Sequence, residues 1–248
     1  MEALTTTDGI WPNRPFDVPE VGDPIGAGSV EEPLSGGNAT MHVVRVDGTV
    51  RKPWFDGAPG VLEYMRILRQ RGVDAPVPMG RDSQGRIVVE FVDGTLASEG
   101  PLLTPAQLRR VGNMVRSIHD ASMGIDPADL GLGTGLIPGP AADLVCHADL
   151  TPWNLVRGPR WVFIDWDGTA ASTRSWDLAY SAQAFTLNDA STDPEVAAQS
   201  LCAYLEGYRA DAEMRDALAR MLVQRTWAMY ELLRDAAHDG VEPWGTMF

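Results

Sequence analysis

Residues 144–165 combine two short apolar runs with one long polar segment, and few folds accommodate that arrangement. The runs at 144–146 and 161–164 are short and apolar, which is typical of buried strands. The polar segment at 147–154 lies between them, and Asp165 directly follows the second run. The pattern therefore predicts a small β insert that presents polar side chains from a loop.

The N-terminal half predicts a small β-rich unit with one helix. Its predicted strands cover residues 41–46, 49–52 and 86–92. Asp47-Gly48 joins the first two strands, and this dipeptide suits the positive φ angles of a tight hairpin turn. Apolar residues at helical spacing over 61–68 predict a helix that ends near Gly72. We place the end of this unit near residue 94.

The C-terminal half predicts mainly helices. Thr104 and Gln107 form a capping box that begins a helix about four turns long. Further helices are predicted over residues 177 to about 187, from the segment 192–195, and over about 212–238. Strands with one helix, followed by helices with a β insert, predict an α+β fold of two lobes. We divide the chain into an N-terminal arm (1–33), an N-lobe (34–94) and a C-lobe (95–248).

Composition excludes several classes of protein. The formal net charge is −14, whereas nucleic-acid binders need clusters of Lys and Arg for the phosphate backbone. This charge would favour a cationic small substrate, although acidic surfaces also serve solubility alone. Cys146 and Cys202 have neither metal-ligand nor disulfide-framework spacing. No leader pattern and no bilayer-spanning stretch is present, so we expect a cytoplasmic protein without a membrane partner.

The polar residues of the insert follow a known order. His147, Asp149 and Asn154 have the spacing H-x-D-x-x-x-x-N, and Asp165 follows the next apolar run. This arrangement resembles the aminoglycoside phosphotransferase and choline kinase family, a relative of the protein kinases. Residues 164–167, Ile-Asp-Trp-Asp, are close to that family's metal-binding segment. The resemblance implies a protein-kinase-like two-lobed fold, with a small β-rich N-lobe and a larger, mainly helical C-lobe.

The resemblance implies a role for each polar residue of the insert. Asp149 is the expected catalytic base, because an attacking hydroxyl needs a carboxylate that orients it and accepts its proton. Asn154 and Asp165 are the expected magnesium ligands, since hard cations prefer oxygen ligands. His147 is expected to brace the loop by hydrogen bonding. Asp167 either assists metal binding or only solvates the loop.

The same resemblance places the nucleotide site in the N-lobe. The expected nucleotide-binding residues are Ser35, Gly36, Gly37 and Asn38 in a phosphate-covering loop, Val50 and Lys52 in the hairpin, Glu63 in the helix, and Glu90 and Val92 in the link between lobes. Lys52 is expected to contact the α- and β-phosphates and Val50 the base, because strand alternation puts both on one face. Glu63 is either the partner of Lys52 or an acidic residue favoured in a first helical turn by the helix dipole.

The implied activity is transfer of the γ-phosphate of ATP or GTP, with Mg²⁺, to a hydroxyl of a small molecule. An aminoglycoside or another antibiotic-like metabolite is the expected acceptor. A choline, homoserine or sugar kinase on the same scaffold is an alternative that the sequence does not separate. A catalytically silent nucleotide-binding protein is a second alternative, because the glycine-containing loop departs from G-x-G-x-x-G.

Overall fold

The computed structural model describes residues 18–21, 30–34 and 42–248, and these form two lobes. The N-lobe consists of β1 (Glu20–Val21), β2 (Glu32–Pro33), β3 (Val44–Val46), β4 (Thr49–Lys52), α1 (Ala58–Gln70), β5 (Pro78–Asp82) and β6 (Ile87–Glu90). Its strands form one sheet in the order β1-β5-β6-β4-β3-β2. All neighbouring pairs are antiparallel except β1 and β5.

The predicted hairpin and helix of the N-lobe are confirmed. Strands β3 and β4 pair with Val46 opposite Thr49, and Asp47 in the turn has a φ of 52°. Helix α1 ends as predicted, with Gly72 in the left-handed region at a φ of 88°. The left-handed φ explains why glycine lies there, since a side chain would be strained in that conformation.

Three strands of this sheet were not predicted. Strand β5 contains Pro78 and Gly80, which interrupt the run of apolar and β-branched residues from which a strand is predicted. Strands β1 and β2 lie in the segment that we assigned to a loosely packed arm. They pair with β5 and β3, so parts of the predicted arm extend the sheet at both edges.

The C-lobe contains the predicted β insert and four helices among its described residues. Its elements are β7 (Thr95–Leu96), α2 (Pro105–Ala121), β8 (Leu144–Cys146), β9 (Leu155–Arg157), β10 (Trp161–Phe163), β11 (Ala170–Ser172), α3 (Arg174–Thr186), α4 (Pro194–Tyr208) and α5 (Ala212–Asp239). Strand β9 pairs with β10 and β7, and β8 pairs with β11. Within the described ranges, no helix is both long and apolar enough to cross a bilayer. The two-lobed α+β prediction is confirmed.

Side-chain caps fix where the C-lobe helices begin. The predicted capping box of Thr104 and Gln107 is present at the start of α2. Helix α4 is capped by Asp193, whose carboxylate accepts from the backbone N–H of Glu195 at 2.8 Å. The cap is therefore one residue beyond Thr192, where the predicted segment begins. Asp is as good an N-cap as Thr, and it precedes the proline that suits the first helical turn.

Helices α2 and α4 approach closely because each carries a glycine at the crossing. A Cβ at Gly112 would lie 2.1 Å from the carbonyl oxygen of Tyr204, and one at Gly207 would lie 1.9 Å from that of Arg109. Neither position tolerates a side chain without moving a helix backbone. This contact brings Tyr204 and Tyr208 into the core.

One buried tyrosine connects the two lobes. Tyr64 projects from α1, and its hydroxyl hydrogen-bonds Ser122 at 2.6 Å and the carbonyl of Val145 at 3.0 Å. Its ring packs edge-on against Trp166 at 5.9 Å between centroids. Because the tyrosine is fully buried and its hydroxyl is satisfied, the contact holds α1 against β8, the strand that precedes the polar segment 147–154.

A buried charge cluster stabilises the N-lobe sheet, and Asp82→Asn is expected to destabilise it. The Asp82 carboxylate accepts from Arg51 at 2.9 Å, and from the backbone and side chain of Arg86 at 2.8 and 2.9 Å. Arg51 is only 3% exposed, so the substitution leaves a buried cation without its carboxylate. We expect the free energy of unfolding, measured by urea titration, to fall by about 3–5 kcal/mol.

The exposed pair Arg109–Glu206 provides the control, because both side chains are about half exposed. Glu206→Gln should lower the free energy of unfolding by less than about 1 kcal/mol. Burial alone would raise the pKa of Asp82, but hydrogen bonds from Arg86 and Arg51 lower it overall. The stabilisation by Asp82 is thus complete above the ordinary carboxyl pKa and is lost as pH falls through the lower folded value. Equal losses for the two variants at neutral pH would contradict the prediction.

Candidate functional site

Residues 147–154, the catalytic loop, connect β8 to β9 and carry the expected catalytic base. This loop holds Asp149 by one of its two carboxylate oxygens. Asn154 donates from its amide nitrogen to Oδ2 of Asp149 at 2.7 Å and to the Asp149 carbonyl at 3.1 Å. The other oxygen, Oδ1, is buried and has no hydrogen-bond partner among the described residues. A buried acceptor without a partner is costly in a folded protein, so Oδ1 is suited to receive a hydrogen bond from a bound molecule.

Helix α3 fixes the backbone of this loop. Ala148 adopts a left-handed φ of 66°, which is unfavourable for a residue with a Cβ. Asp177 Oδ1 accepts from the Ala148 N–H at 3.0 Å, and Ser181 donates to the carbonyl of Leu150 at 2.6 Å. The role of Asp177 was missed from the sequence, because an acidic residue in a first helical turn is expected from the helix dipole alone.

His147 has the bracing geometry that the resemblance implies. Its Nε2 lies 3.2 Å from the carbonyl oxygen of Ile164, and its Nδ1 accepts from the backbone N–H of Asp149 at 3.3 Å. Burial lowers the pKa of His147, which favours the neutral ring. A neutral ring with one donor and one acceptor satisfies both contacts, so His147 connects the catalytic loop to the end of β10.

The environment of Asp149 favours its protonated form when no cation is bound. Burial and then the charge of Asp165 raise the pKa of Asp149 to about 6, while hydrogen bonding to Asn154 opposes the shift. A divalent cation beside Asp165 would offset that negative charge and lower the pKa of Asp149. The carboxylate would then be ionised at neutral pH, as a base must be.

Lys52 connects the N-lobe sheet to two carboxylates of the C-lobe. Its Nζ lies 2.5 Å from Oδ1 of Asp167 and 3.3 Å from Oδ1 of Asp165. Burial alone would lower the pKa of Lys52, but these carboxylates raise it overall. Asp165 adopts a left-handed φ of 59°, a conformation that Asp tolerates better than most residues. Lys52 is therefore charged and placed beside the expected metal ligands.

The side chains at this position fit a magnesium ion. Asn154 uses its amide nitrogen on Asp149, which leaves the amide oxygen available. Asp165 and Asp167 supply carboxylates, and their negative charge is balanced in the described structure by Lys52 alone. Burial and the charge of Asp165 raise the pKa of Asp167, so a further cation would stabilise its ionised form. An all-oxygen set with excess negative charge is what Mg²⁺ prefers.

A cavity of roughly 300 Å³ lies between the lobes next to these side chains. It is lined by predicted residues from both lobes: Val50, Lys52, Glu90, Val92, Asn154, Asp165 and Asp167. Other apolar side chains of α1 and β6 line the same space. Asp149 is not part of the lining and reaches this site through its hydrogen bond to Asn154. The cavity thus joins an apolar slot to a charged end beside the catalytic loop.

The predictions for Glu63, for Glu90 and for the loop at residues 35–38 have separate outcomes. Glu63 pairs with Arg66 one turn along α1, and it lies in the second helical turn because α1 begins at Ala58. The partners of Lys52 are Asp165 and Asp167, so Glu63 is not its partner among the described residues. The Glu90 side chain accepts from the Val77 N–H at 3.0 Å and pairs with Arg160, but the role predicted for Glu90 is that of its backbone, which stays a prediction. The four loop residues 35–38 lie outside the described residues.

The sequence around this site also matches a known family. The model of the phosphotransferase enzyme family matches residues 136–216, a range that includes the catalytic loop, Asp165 and α3. The family resemblance is confirmed. A relative by sequence is the trifolitoxin immunity protein of Rhizobium leguminosarum bv. trifolii, which is 27% identical over 229 residues, with 85% of each chain covered.

Solved structures extend the phosphotransferase likeness to both lobes. An amicoumacin kinase in complex with AMP-PNP, Ca²⁺ and Ami has a TM-score of 0.60 at 13% identity, covering 80% of each chain. The GDP complex of aminoglycoside 2'-phosphotransferase-IIIa has a TM-score of 0.57 at 14% identity, covering 88% of this chain and 89% of that one. At these identities the likeness establishes the kinase-like fold of the phosphotransferases.

Proposed function

We propose that this chain transfers the γ-phosphate of ATP or GTP to a hydroxyl of a small molecule. The observation that supports this most is the meeting of Lys52, Asn154, Asp165 and Asp167 at one cavity, with Asp149 hydrogen-bonded to Asn154. These groups come from both lobes and supply the base, the phosphate-binding cation and the metal ligands that phosphoryl transfer needs.

The free oxygen of Asp149 defines where the acceptor binds. With Oδ2 held by Asn154, Oδ1 accepts the hydrogen bond of the acceptor hydroxyl and orients its oxygen toward the γ-phosphorus. The hydroxyl oxygen forms a bond to that phosphorus while the bond to the β,γ-bridging oxygen breaks. The nucleoside diphosphate leaves with the bridging oxygen, and the hydroxyl proton passes to Asp149.

The nucleotide occupies the cavity between the lobes. The apolar slot near Val50 takes the base, and backbone groups of residues 90–92 bind its edge. Lys52 exchanges part of its contact with Asp165 and Asp167 for phosphate oxygens. Mg²⁺, held by Asn154 and Asp165 with Asp167 assisting, would neutralise charge on the phosphates.

The acceptor that we propose is an antibiotic-like metabolite, such as an aminoglycoside. The similarity to the trifolitoxin immunity protein supports a protective role against a toxic small molecule. The amicoumacin and aminoglycoside enzymes support the same class. A nucleoside triphosphate co-substrate fits a cytoplasmic location, and the acidic composition gives no support for a nucleic-acid partner.

Magnesium with ATP or GTP should raise the melting temperature, and phosphate should appear on an acceptor. A ligand present at 100 times its dissociation constant stabilises the folded state by about 2.7 kcal/mol. The shift is measured by differential scanning fluorimetry and product formation by mass spectrometry, over a panel of hydroxylated metabolites. Stabilisation without transfer to any acceptor would favour the silent nucleotide-binding alternative. Absence of any nucleotide effect would contradict the kinase proposal.

A further inference from the structure

Arg225 is a buried cation without a carboxylate partner. It lies on α5 and is 7% exposed. Its Nη1 atom is buried and makes no hydrogen bond, and no carboxylate of the described ranges forms an ion pair with it. Other buried cations of the described chain, Arg51 and Lys52, each have a carboxylate within 3 Å. Arg225 therefore differs from them in lacking its counterion.

Two aromatic rings of α3 hold the guanidinium in place. It lies 4.1 Å from the ring centroid of Tyr180 and 5.9 Å from that of Trp176. These residues are four apart on α3, so they share the face of the helix that meets α5. Asp177, between them in sequence, accepts from the Ala148 N–H of the catalytic loop. One helix thus positions both the catalytic loop and Arg225.

Arg225 and Tyr180 lie close enough to the catalytic base to respond to its charge. Burial lowers the pKa of Arg225, and the charges of Tyr180, Asp177 and Asp149 oppose that shift. Burial and the charge of Asp149 raise the pKa of Tyr180, whereas Arg225 opposes that rise. Arg225 nonetheless forms no ion pair with Asp149. Helix α3 brings the two unpartnered atoms, Nη1 of Arg225 and Oδ1 of Asp149, into one region. The ring centroid of Tyr180 lies 4.1 Å from the guanidinium, and its helix neighbours Asp177 and Ser181 hydrogen-bond the residues on either side of Asp149.

Ring contacts offset only part of the cost of this burial. A cation over an aromatic ring gains about 0.5–2 kcal/mol, whereas burying an unpaired charge costs several kcal/mol. Guanidinium stays protonated in proteins, so loss of the proton does not relieve the cost. An anionic group from a bound molecule would relieve it, and a planar carboxylate matches the paired donors of guanidinium.

We propose that Arg225 binds a carboxylate of the acceptor, next to the hydroxyl that hydrogen-bonds Asp149. The inference rests on the proposed kinase function. Within the proposed class of antibiotic-like metabolites, it favours acceptors that carry both a hydroxyl and a carboxylate over aminoglycosides, which have no carboxylate. One ligand of that kind satisfies both unpartnered atoms at once. It also places a negative charge against a cation at a site where the chain is otherwise acidic.

Matched pairs of acceptors test this directly, because their members differ only in the carboxylate. Homoserine is compared with 3-aminopropanol, and serine with ethanolamine, in transfer assays and in thermal stabilisation with magnesium and AMP-PNP. Charge-assisted hydrogen bonds predict that the carboxylated member has a kcat/KM about 10–100-fold higher. It should also raise the melting temperature more than its partner does at equal concentration.

Variants of Arg225 separate binding from a structural role. R225M should raise the KM for the carboxylated acceptor about 10–100-fold with little change for its amine partner. R225K keeps the charge and should lose less than R225M, but it should not match wild type, because lysine lacks the planar fork of donors. R220K, at an exposed arginine of the same helix, is the control and should match wild type. The stabilisation by magnesium and nucleotide should be the same in all four proteins.

The outcomes distinguish the two proposals. A protein that still binds magnesium and nucleotide but shows no carboxylate preference, in transfer or in stabilisation, overturns the role of Arg225 and leaves the kinase function intact. An equal loss for both members of a pair in R225M and R225K also overturns it, because that result indicates a structural role. Failure of wild type to bind nucleotide contradicts the kinase function itself.

Discussion

Asp149→Asn should reduce phosphate transfer by about 10²–10⁴-fold, the usual contribution of a positioned general base. Asparagine keeps the shape of the side chain and can still pair with Asn154, but it cannot accept the hydroxyl proton. Nucleotide binding should be unchanged, because Asp149 is not among the residues that line the cavity. The loss should therefore fall on kcat at saturating nucleotide.

Stability provides the internal check for this variant. Burial and Asp165 raise the pKa of Asp149 to about 6, so its ionised form is disfavoured by folding at neutral pH. Asp149→Asn should consequently unfold at the same temperature as wild type or higher. Asp143→Asn, an exposed aspartate just before β8, is the matched control and should retain full transfer. Substantial turnover by a well-folded Asp149→Asn protein would remove this residue from the role of base.

Asp165→Asn should have the second large effect, and comparison with Asp167→Asn separates the roles of the two carboxylates. Loss of the charge of a metal ligand removes several kcal/mol of transition-state stabilisation. This corresponds to a fall of about 10²–10³-fold in kcat/KM. The magnesium concentration for half-maximal rate should rise as well. Asp167→Asn should lower kcat/KM by about tenfold or less, because Asp167 lies closer to Lys52 and only assists metal binding in the proposed site.

Magnesium titrations of both variants, with stability followed by circular dichroism, provide the measurement. Because Lys52 contacts both carboxylates, either substitution leaves it one partner, so an indirect effect through Lys52 should be similar in the two proteins. A difference between them then reports metal binding. Equal losses of transfer with no change in magnesium dependence would contradict the assignment of Asp165 as a magnesium ligand.

The parts of the site that could be predicted are those fixed by short-range sequence. The strand, polar loop and strand around Asp149 follow from apolar runs and their spacing, and so does the position of Asp165 after β10. The alternation that puts Val50 and Lys52 on one face also holds, since both line the same cavity. These relations involve neighbours along one strand or one loop, where backbone geometry alone determines which side chains lie together.

The sequence predictions were wrong or incomplete where a side chain or strand has several possible partners, some of them distant along the chain. Glu63 was considered as a partner for Lys52, yet an arginine one turn away on the same helix takes it. Asp177 has the sequence signature of an ordinary first-turn acid, and only packing of α3 against the catalytic loop shows what it bonds. Strand β5 was missed because its pairing with β6, rather than its own propensity, makes it a strand.

The sequence alone determined the two-lobed α+β fold and the order of the proposed catalytic residues, because both follow from local periodicity and spacing. Only the tertiary structure decided that Lys52 meets Asp165 and Asp167, that one oxygen of Asp149 is left free, and that Arg225 is buried without a counterion. The physical reason is that burial and pairing of charges depend on segments far apart in the chain, and no local pattern encodes which of them will meet.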